Sequence, residues 1–411
     1  MISATELLNA FASFADVGTT PKLLAGQNEL TPKIVLQRNG DNLTILLEPD
    51  GKVEVSSADV IARHPTIRHA LASSHFADLA RWAANQMAHL KGMPYAEELS
   101  TLGKDGFQEI DALLQWQRGQ PESTQVIVID GPAGIGKTAA IRQIGLLRAT
   151  TYRETMNSLL LHVESRGRML QNLQDLIAFS LQSLRVSVTF DQVPTLIKYG
   201  VVVLAIDGFD ELGDPSGYDL AWAQLNELVN VVRGDGVLIL SGRDTFFGEE
   251  RLMKALQSIR PQTDRIKTFR LPPLRPESAR RFLKAKGWPE NLFKQPEAAA
   301  LLEPDSYALR PFFLNLLADQ DIFSKIELSF ISSLTDFLVR EMMLREARKF
   351  GTDIERKIPE NEIVKFLLEF LKEVSRELAG NQTEAASSEE LGWMFDISVD
   401  QSWPADVRGI L

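Results

Sequence analysis

One short stretch of the chain carries residues whose types and spacing suit the binding of a polyphosphate. It reads GPAGIGKT, from Gly131 to Thr138. Glycines let a loop curl so that its backbone N–H groups face a phosphate, the lysine adds positive charge, and the threonine hydroxyl can bind Mg²⁺. A plain glycine turn is the alternative, but such a turn requires neither Lys137 nor Thr138. We therefore predict a site for a nucleoside triphosphate and magnesium.

The sequence on either side of this loop supports the same interpretation. The apolar run QVIVID before it is typical of a buried strand, and AAIRQIGLL after it has a helical period. A helix that begins at the end of the loop directs its positive N-terminus at the bound phosphates. The residues predicted to contact the nucleotide are Gly131, Pro132, Ala133, Gly134, Ile135, Gly136, Lys137, Thr138 and Ala139.

A second group of reactive side chains follows the apolar run VVVLAI. Asp207 ends this run, and Asp210 and Glu211 come shortly after it. A carboxylate at the end of a buried strand is costly unless it serves a cation. We predict that Asp207 and Thr138 hold Mg²⁺, and that Glu211 or Asp210 orients and deprotonates the attacking water. The alternative is that these acids are solvated loop residues.

These groups require a sheet that brings them to one edge. Short apolar runs alternate with helical segments between residues 106 and 275, and such runs are typical of strands buried on both faces of a parallel sheet. One run, SLLLHVE, lies between the glycine-rich loop and the run that ends at Asp207. The same order occurs in NTPases that have an added strand between these two motifs. We predict an α/β fold, a P-loop NTPase with a doubly wound, mainly parallel sheet. The runs are QVIVID, SLLLHVE, VVVLAID, GVLILSG and KTFRLPPL.

The remaining sequence predicts further domains on both sides. The N-terminal part has three strand-like runs, separated at Asn39-Gly40 and Pro49-Asp50-Gly51, and then helical stretches from about Ala58 to Leu90. After Pro276 the apolar residues follow a helical period. The predicted division is a small α+β domain at 1–100, the NTPase domain at 101–275, a helical domain at 276–380 and the start of a possible winged-helix segment at 381–411.

Composition narrows the classes of partner. The chain has 411 residues, a formal net charge of −11 and no cysteine. This charge argues against general binding of nucleic acid or of acidic membranes, and the absence of cysteine excludes disulfides and cysteine-bound zinc. The start of the chain lacks the positive charge of a signal peptide, and its apolar runs are too short to span a bilayer. We expect a cytoplasmic protein whose partners are nucleotides and proteins.

The motifs resemble those of the NACHT clade of the STAND signalling NTPases. GPAGIGKT, together with LAIDGFDEL, is similar to the pattern of that clade. The resemblance continues in GVLILSGRDTFF, which puts Arg243 at the sensor position of the family, and in LRPFFLNLLA, where Pro311 matches a proline that lies against the bound base. It covers about residues 106 to 345. Leu309 replaces a glycine found in many STAND members, and no histidine follows His162.

This resemblance implies a nucleotide-dependent switch. ADP would hold a closed monomer, ATP exchange would permit assembly, and hydrolysis would reset the protein, with Arg243 reading the γ-phosphate. Such proteins often serve bacterial antiviral defence. The expected cofactors are ATP or ADP with Mg²⁺, because the chain has no guanine-reading N-K-x-D string. Protein partners or self-assembly are expected.

Two other functions fit the same motifs. The first is an AAA+-like motor acting on nucleic acid or protein, which the shared sheet favours and the acidic charge disfavours. The second is a scaffold that binds nucleotide with little turnover. The combination of Lys137, Thr138, Asp207 and Glu211 argues against the scaffold.

Overall fold

The computed structural model divides the chain into two compact units, Met1–Pro272 and Pro273–Leu411. It describes residues 3–24, 31–57, 60–91, 103–114, 124–165, 173–211, 218–233, 236–243, 260, 264–304, 306–318, 334–348, 357–381, 386, 388–399 and 403. Within these residues, no helix combines the length and the apolar character needed to cross a bilayer.

The first unit begins with helix α1 (Ala4–Ala12) and an antiparallel meander. Its strands are β1 (Lys22–Leu24), β2 (Lys33–Arg38), β3 (Asp41–Leu47), β4 (Val53–Ser56) and β5 (Ile61–His64), paired in chain order. Asn39 and Gly40 turn between β2 and β3 with φ of 53° and 83°. The Asp16 carboxylate accepts hydrogen bonds from both of their backbone N–H groups, at 2.7 and 2.8 Å. The small N-terminal α+β arrangement is therefore confirmed.

The meander differs from the sequence expectation at β5. Helical stretches were expected from about Ala58, yet residues 61–64 form a strand that pairs with β4, with Val55 opposite Ala62. A four-residue run has too little periodicity to distinguish a strand from a helix, so the partner strand decides. Helices follow only at α2 (Ile67–Ala72) and α3 (Leu79–Lys91).

The second sheet of this unit is parallel and holds the predicted strands. These are β6 (Gln125–Asp130), β7 (Leu159–Glu164), β8 (Val202–Asp207), β9 (Val237–Gly242) and β10 (Arg265–Arg270), in the order β10-β6-β9-β8-β7. Within β6, Val126 and Val128 belong to one buried cluster, while Ile127 and Ile129 belong to another. Both faces of the sheet are covered, so the doubly wound α/β fold is confirmed.

In the described residues, helices α4 to α8 also belong to this unit. They are α4 (Gly103–Leu113), α5 (Lys137–Thr155), α6 (Leu173–Ser183), α7 (Val193–Lys198) and α8 (Tyr218–Val231). Helix α3 packs closely on α5 at Gly145. A Cβ added to this glycine would lie 3.4 Å from Leu90 of α3 and 3.4 Å from Leu160 of β7. One cluster of buried side chains contains Ile45 of the meander, Trp82 of α3 and Val128 of the parallel sheet. The N-terminal part and the parallel sheet therefore share a core.

The described part of the second unit is helical, as predicted. Its helices span Pro276–Ala285, Pro296–Leu301, Pro311–Leu317, Leu334–Ala347, Glu360–Asn381 and Ser388–Ser398. Three of them begin with proline at the first helical position, where the missing N–H has no helical partner to lose. The possible winged-helix segment stays a prediction, and the domain boundary predicted near residue 100 lies outside the described residues.

Candidate nucleotide-binding site

The glycine-rich loop joins β6 to α5 in a conformation that its glycines permit. Gly131, Gly134 and Gly136 have φ of 148°, 75° and 99°, a region that residues with a Cβ rarely adopt. At Gly131 space is also lacking, because an added Cβ would lie 3.2 Å from the backbone carbonyl oxygen of Leu271. Gly136 is the N-cap of α5. The loop therefore delivers the chain directly into a helix N-terminus, the usual site for a bound phosphate.

Lys137 lies across this loop. Its ammonium donates hydrogen bonds to the carbonyl oxygens of Gly131 and Pro132, at 2.7 and 3.1 Å. Ile135 instead buries its side chain in a core cluster, so it anchors the loop and leaves only its backbone to contact a ligand. Ala133 and Gly134 are exposed at the tip. The contacts predicted between residues 131–139 and a nucleotide stay predictions.

Asp207 ends strand β8 and is held by two side chains. The hydroxyl of Ser241 donates to its Oδ1, and His162 Nε2 lies 3.1 Å from its Oδ2. Burial alone would raise the pKa of Asp207, but the hydrogen bonds and the charge of these partners lower it below its ordinary value. Asp207 is thus a buried carboxyl group whose partners favour its charged form.

These residues suit a magnesium ion. Mg²⁺ prefers carboxylate and hydroxyl oxygens and is commonly shared between the protein and the phosphates of the substrate. Thr138 at the start of α5 is one of the groups that lower the pKa of Asp207, and Asp207 ends β8 in the same parallel sheet. Both predicted ligands therefore lie at one edge of the sheet, and Lys137 follows the same loop.

His162 and Ser241 were not predicted as site residues. They belong to β7 and β9, which lie on either side of β8, and they reach opposite oxygens of Asp207. Each interrupts an apolar run, SLLLHVE and GVLILSG, with a polar side chain near the carboxyl end of the strand. That interruption was the available signal, but only the order of strands shows that the two residues converge on one acid.

Asp210 and Arg243 form an ion pair at the same edge of the sheet. Asp210 lies in the turn Phe209–Glu211 and Arg243 follows β9; the Arg243 Nε is 3.3 Å from Asp210 Oδ2. Arg243 was expected to read a γ-phosphate, and pairing with an acid was the alternative. In the structure Arg243 pairs with an acid, Asp210. Its role as a sensor of the γ-phosphate stays a prediction. The side chain of Glu211 lies outside the described part.

Pro311 begins the helix Pro311–Leu317 and is buried in the second unit. Two residues before Pro311, the backbone carbonyl of Leu309 accepts a hydrogen bond from the backbone N–H of Leu274, at 3.1 Å. The position of this proline at the start of a helix agrees with its sequence context. Its contact with the base of a nucleotide stays a prediction.

The site and sheet define a P-loop NTPase fold. Its parts are a parallel strand, a loop with left-handed glycines, a helix that begins with Lys-Thr and a buried aspartate at the end of a further strand. No protein-family model and no curated protein matches the sequence.

Several solved structures resemble the chain in overall architecture. Cdc6p from Pyrobaculum aerophilum is 14% identical, with a TM-score of 0.36, and the match covers 79% of this chain and 87% of that one. Drosophila ORC bound to DNA is 16% identical, with a TM-score of 0.38 and coverage of 80% and 82%. The Walker-type ATPase paby2304 of Pyrococcus abyssi is 12% identical, with a TM-score of 0.36 and coverage of 75% and 94%. These similarities concern the general fold alone.

Proposed function

We propose that the chain is a P-loop ATPase that binds ATP with Mg²⁺, hydrolyses it slowly and couples its nucleotide state to self-assembly or to a protein partner. The observation that carries the proposal is the placement of Lys137 and Thr138, which begin the helix after β6, at the same edge of the parallel sheet as Asp207, which ends β8. Lys137 and the N-terminus of α5 would bind the β- and γ-phosphates, and Thr138 and Asp207 would hold Mg²⁺.

Glu211 is the preferred base for the attacking water. Asp210 is the other candidate, but its carboxylate is already paired with Arg243. A carboxylate in an ion pair is a weaker proton acceptor than one without such a pair. We therefore assign the water to Glu211, which lies next to Asp210 in the same turn.

The switch function is supported by the resemblance to NACHT proteins. Arg243 has a protein partner in Asp210, and a γ-phosphate would compete for the same guanidinium. A group that contacts only one ligand state can shift a conformational equilibrium, whereas one that contacts both states equally cannot. By the same resemblance we propose bacterial antiviral defence as the biological setting.

An AAA+-like ATPase acting on nucleic acid or protein is the second candidate. A parallel sheet followed by a helical region fits this class as well as it fits the switch. The solved structures reported above belong with this class rather than with signalling switches, although their similarity concerns the fold. Asp207 and the glycine-rich loop would perform the same chemistry in either case.

One experiment separates the candidates. ATP hydrolysis is measured with and without DNA and a denatured model protein, and the mass in solution is measured by light scattering with ADP and with a non-hydrolysable ATP analogue. The switch predicts a nucleotide-dependent mass and no stimulation by DNA. Stimulation by DNA or by protein, with a constant mass, would establish the second candidate. Absence of ATP binding would contradict both.

A further inference from the structure

His162 makes a direct contact with the predicted magnesium ligand. It lies on β7 and is paired with Ala205 of β8. Asp207 follows Ala205 by two residues on β8. Its Nε2 is 3.1 Å from Asp207 Oδ2, and only 10% of its side chain is exposed. A carboxylate can only accept hydrogen bonds, so the Nε2–H of His162 is the donor. This fixes the side of the imidazole that faces the acid.

A second carboxylate lies on the other side of the His162 ring. Its Nδ1 lies 3.5 Å from Glu164 Oε1, and the same oxygen accepts hydrogen bonds from Arg142 Nε and Nη2, at 3.0 and 2.6 Å. Arg142 is four residues after Thr138 on α5, so both project from one face of that helix. The contacts connect Asp207, His162, Glu164 and Arg142 in a chain.

The hydrogen bonds of Asp207 restrict how its carboxylate can turn. Its Oδ2 faces His162 and its Oδ1 accepts from Ser241, so rotation of the carboxylate would break both hydrogen bonds. Ser241 is further fixed because its Oγ accepts from the backbone N–H of Gly208, at 3.1 Å. The strands on either side of β8 therefore set the plane of the carboxylate. The chain's own side chains therefore orient Asp207.

We propose that His162 is a positioning residue for the metal site, which holds the Asp207 carboxylate in the orientation that Mg²⁺ bound with ATP requires. The inference rests on the proposed function, because it assigns a role toward the same metal ion. Groups that orient a metal ligand typically change metal affinity by about 10–100-fold when they are lost. The effect would fall on the metal and leave the contact of Lys137 with the phosphates in place.

A merely structural role for His162 is the competing explanation. His162 lines a small cavity of about 40 Å³ together with Gln86 and His89 of α3. In the described part, His89 is not among the hydrogen-bond partners of Asp207. His89 is therefore a matched control, since it is a histidine on the same cavity without the contact that the proposal invokes.

The test uses two side chains of nearly the same shape, His162→Gln and His162→Met. Both are flexible and similar in volume, but only glutamine can donate a hydrogen bond to Asp207. Binding of Mn²⁺ to the full chain with ATP is followed by electron paramagnetic resonance, and ATP binding in EDTA by calorimetry. We expect His162→Met to weaken Mn²⁺ binding about tenfold, His162→Gln to restore most of it, and His89→Met to change neither quantity.

The outcomes distinguish this inference from the proposed function. If the wild-type chain does not bind Mn²⁺ with ATP, the proposed function is wrong and the inference with it. If the wild type binds but His162→Met does so equally well, or if ATP affinity in EDTA falls by the same factor, the inference alone is wrong. Should His162→Met fail to fold, Glu164→Gln, which removes the charge beside Nδ1, must weaken Mn²⁺ binding; an unchanged affinity there overturns it as well.

Discussion

Arg243 forms an ion pair with Asp210, its Nε lying 3.3 Å from the Oδ2 of that carboxylate. The pair joins the ends of β9 and β8, which are neighbours in the parallel sheet. The Asp210 side chain is only 9% exposed, whereas that of Arg243 is 58% exposed. An ion pair with a solvated partner contributes about 1 kcal/mol or less, so a stronger anion nearby can replace the acid.

The substitution Arg243→Ala tests whether a γ-phosphate is that anion. A hydrogen bond to a charged group contributes about 1.5–3 kcal/mol, more than the existing pair. We expect the variant to bind ADP normally and to lose about 1.5–3 kcal/mol of ATP binding energy, measured by calorimetry with both nucleotides. ATP-dependent assembly should diminish with it.

Arg270 provides the matched control for this prediction. It is another exposed arginine at the same edge, and it pairs with Asp130 at 3.2 Å. Arg270→Ala should leave the difference between ADP and ATP affinity unchanged. Equal losses of both nucleotides in Arg243→Ala, or no loss, would remove Arg243 as the sensor.

A second prediction concerns Asp264, which joins the starts of two strands. Its carboxylate accepts hydrogen bonds from the backbone N–H of Thr124 and Arg260, at 3.0 and 2.9 Å, and from Arg233 Nη1 at 2.6 Å. Burial would raise the pKa of Asp264, but these donors lower it below its ordinary value. A lowered pKa in the folded state stabilises the fold above the unfolded value of about 3.9, and this contribution is lost as the pH falls through the folded pKa.

Asp264→Asn should therefore reduce the free energy of unfolding at pH 7 by about 1–3 kcal/mol. The difference from the wild type should shrink as the pH falls below about 4, because Asp264 of the unfolded wild-type chain takes up a proton there while the folded carboxylate, with its lower pKa, does not. Urea denaturation at a series of pH values measures this. A difference that stays constant from pH 7 to pH 3 would show that the charge of Asp264 contributes nothing.

Much of the nucleotide-binding unit could be predicted from local sequence. Runs such as QVIVID and VVVLAID are apolar at nearly every position because both faces of the sheet are covered, and the structure has a strand at each. The glycine-rich loop was equally predictable, since Gly131 and Gly136 have backbone conformations that few other residues adopt. Local pattern is sufficient where the physical constraint is itself local.

The rest depended on contacts between distant parts of the chain. Strand β5 is defined by its pairing with β4, and His162 reaches Asp207 only because β7 lies beside β8. Ser241 approaches the same acid from the opposite side. Nothing within SLLLHVE or GVLILSG indicates the order in which their strands will pair. The side chains that hold Asp207 were therefore not predictable, and the assignment of Asp207 and Thr138 as ligands of Mg²⁺ stays a prediction.

A third prediction tests the phosphate contact of Lys137. The Lys137→Ala variant removes the ammonium that bridges the loop carbonyls of Gly131 and Pro132 and that would bind the β- and γ-phosphates. We expect ATP affinity to fall by about tenfold to a hundredfold, the scale of a lost charge-assisted hydrogen bond. Calorimetry in EDTA isolates this contact from the metal. Lys267→Ala on strand β10 is the control, and an unchanged affinity in Lys137→Ala would refute the site assignment.

The last prediction distinguishes the two acids of the turn after β8. Asp210 is engaged by Arg243, which weakens it as a proton acceptor, and we therefore propose Glu211 as the base. Glu211→Gln should leave the affinity for ATP nearly intact and slow hydrolysis by about 100-fold or more, the scale for losing a general base. Asp210→Asn removes the charge that holds Arg243, so its main effect should be on the discrimination between ATP and ADP. Single-turnover hydrolysis and nucleotide titration are measured on both variants. If Asp210→Asn slows hydrolysis more than Glu211→Gln does, the roles of the two acids are reversed, and the ion pair with Arg243 then restrains the base itself until a γ-phosphate draws the arginine away.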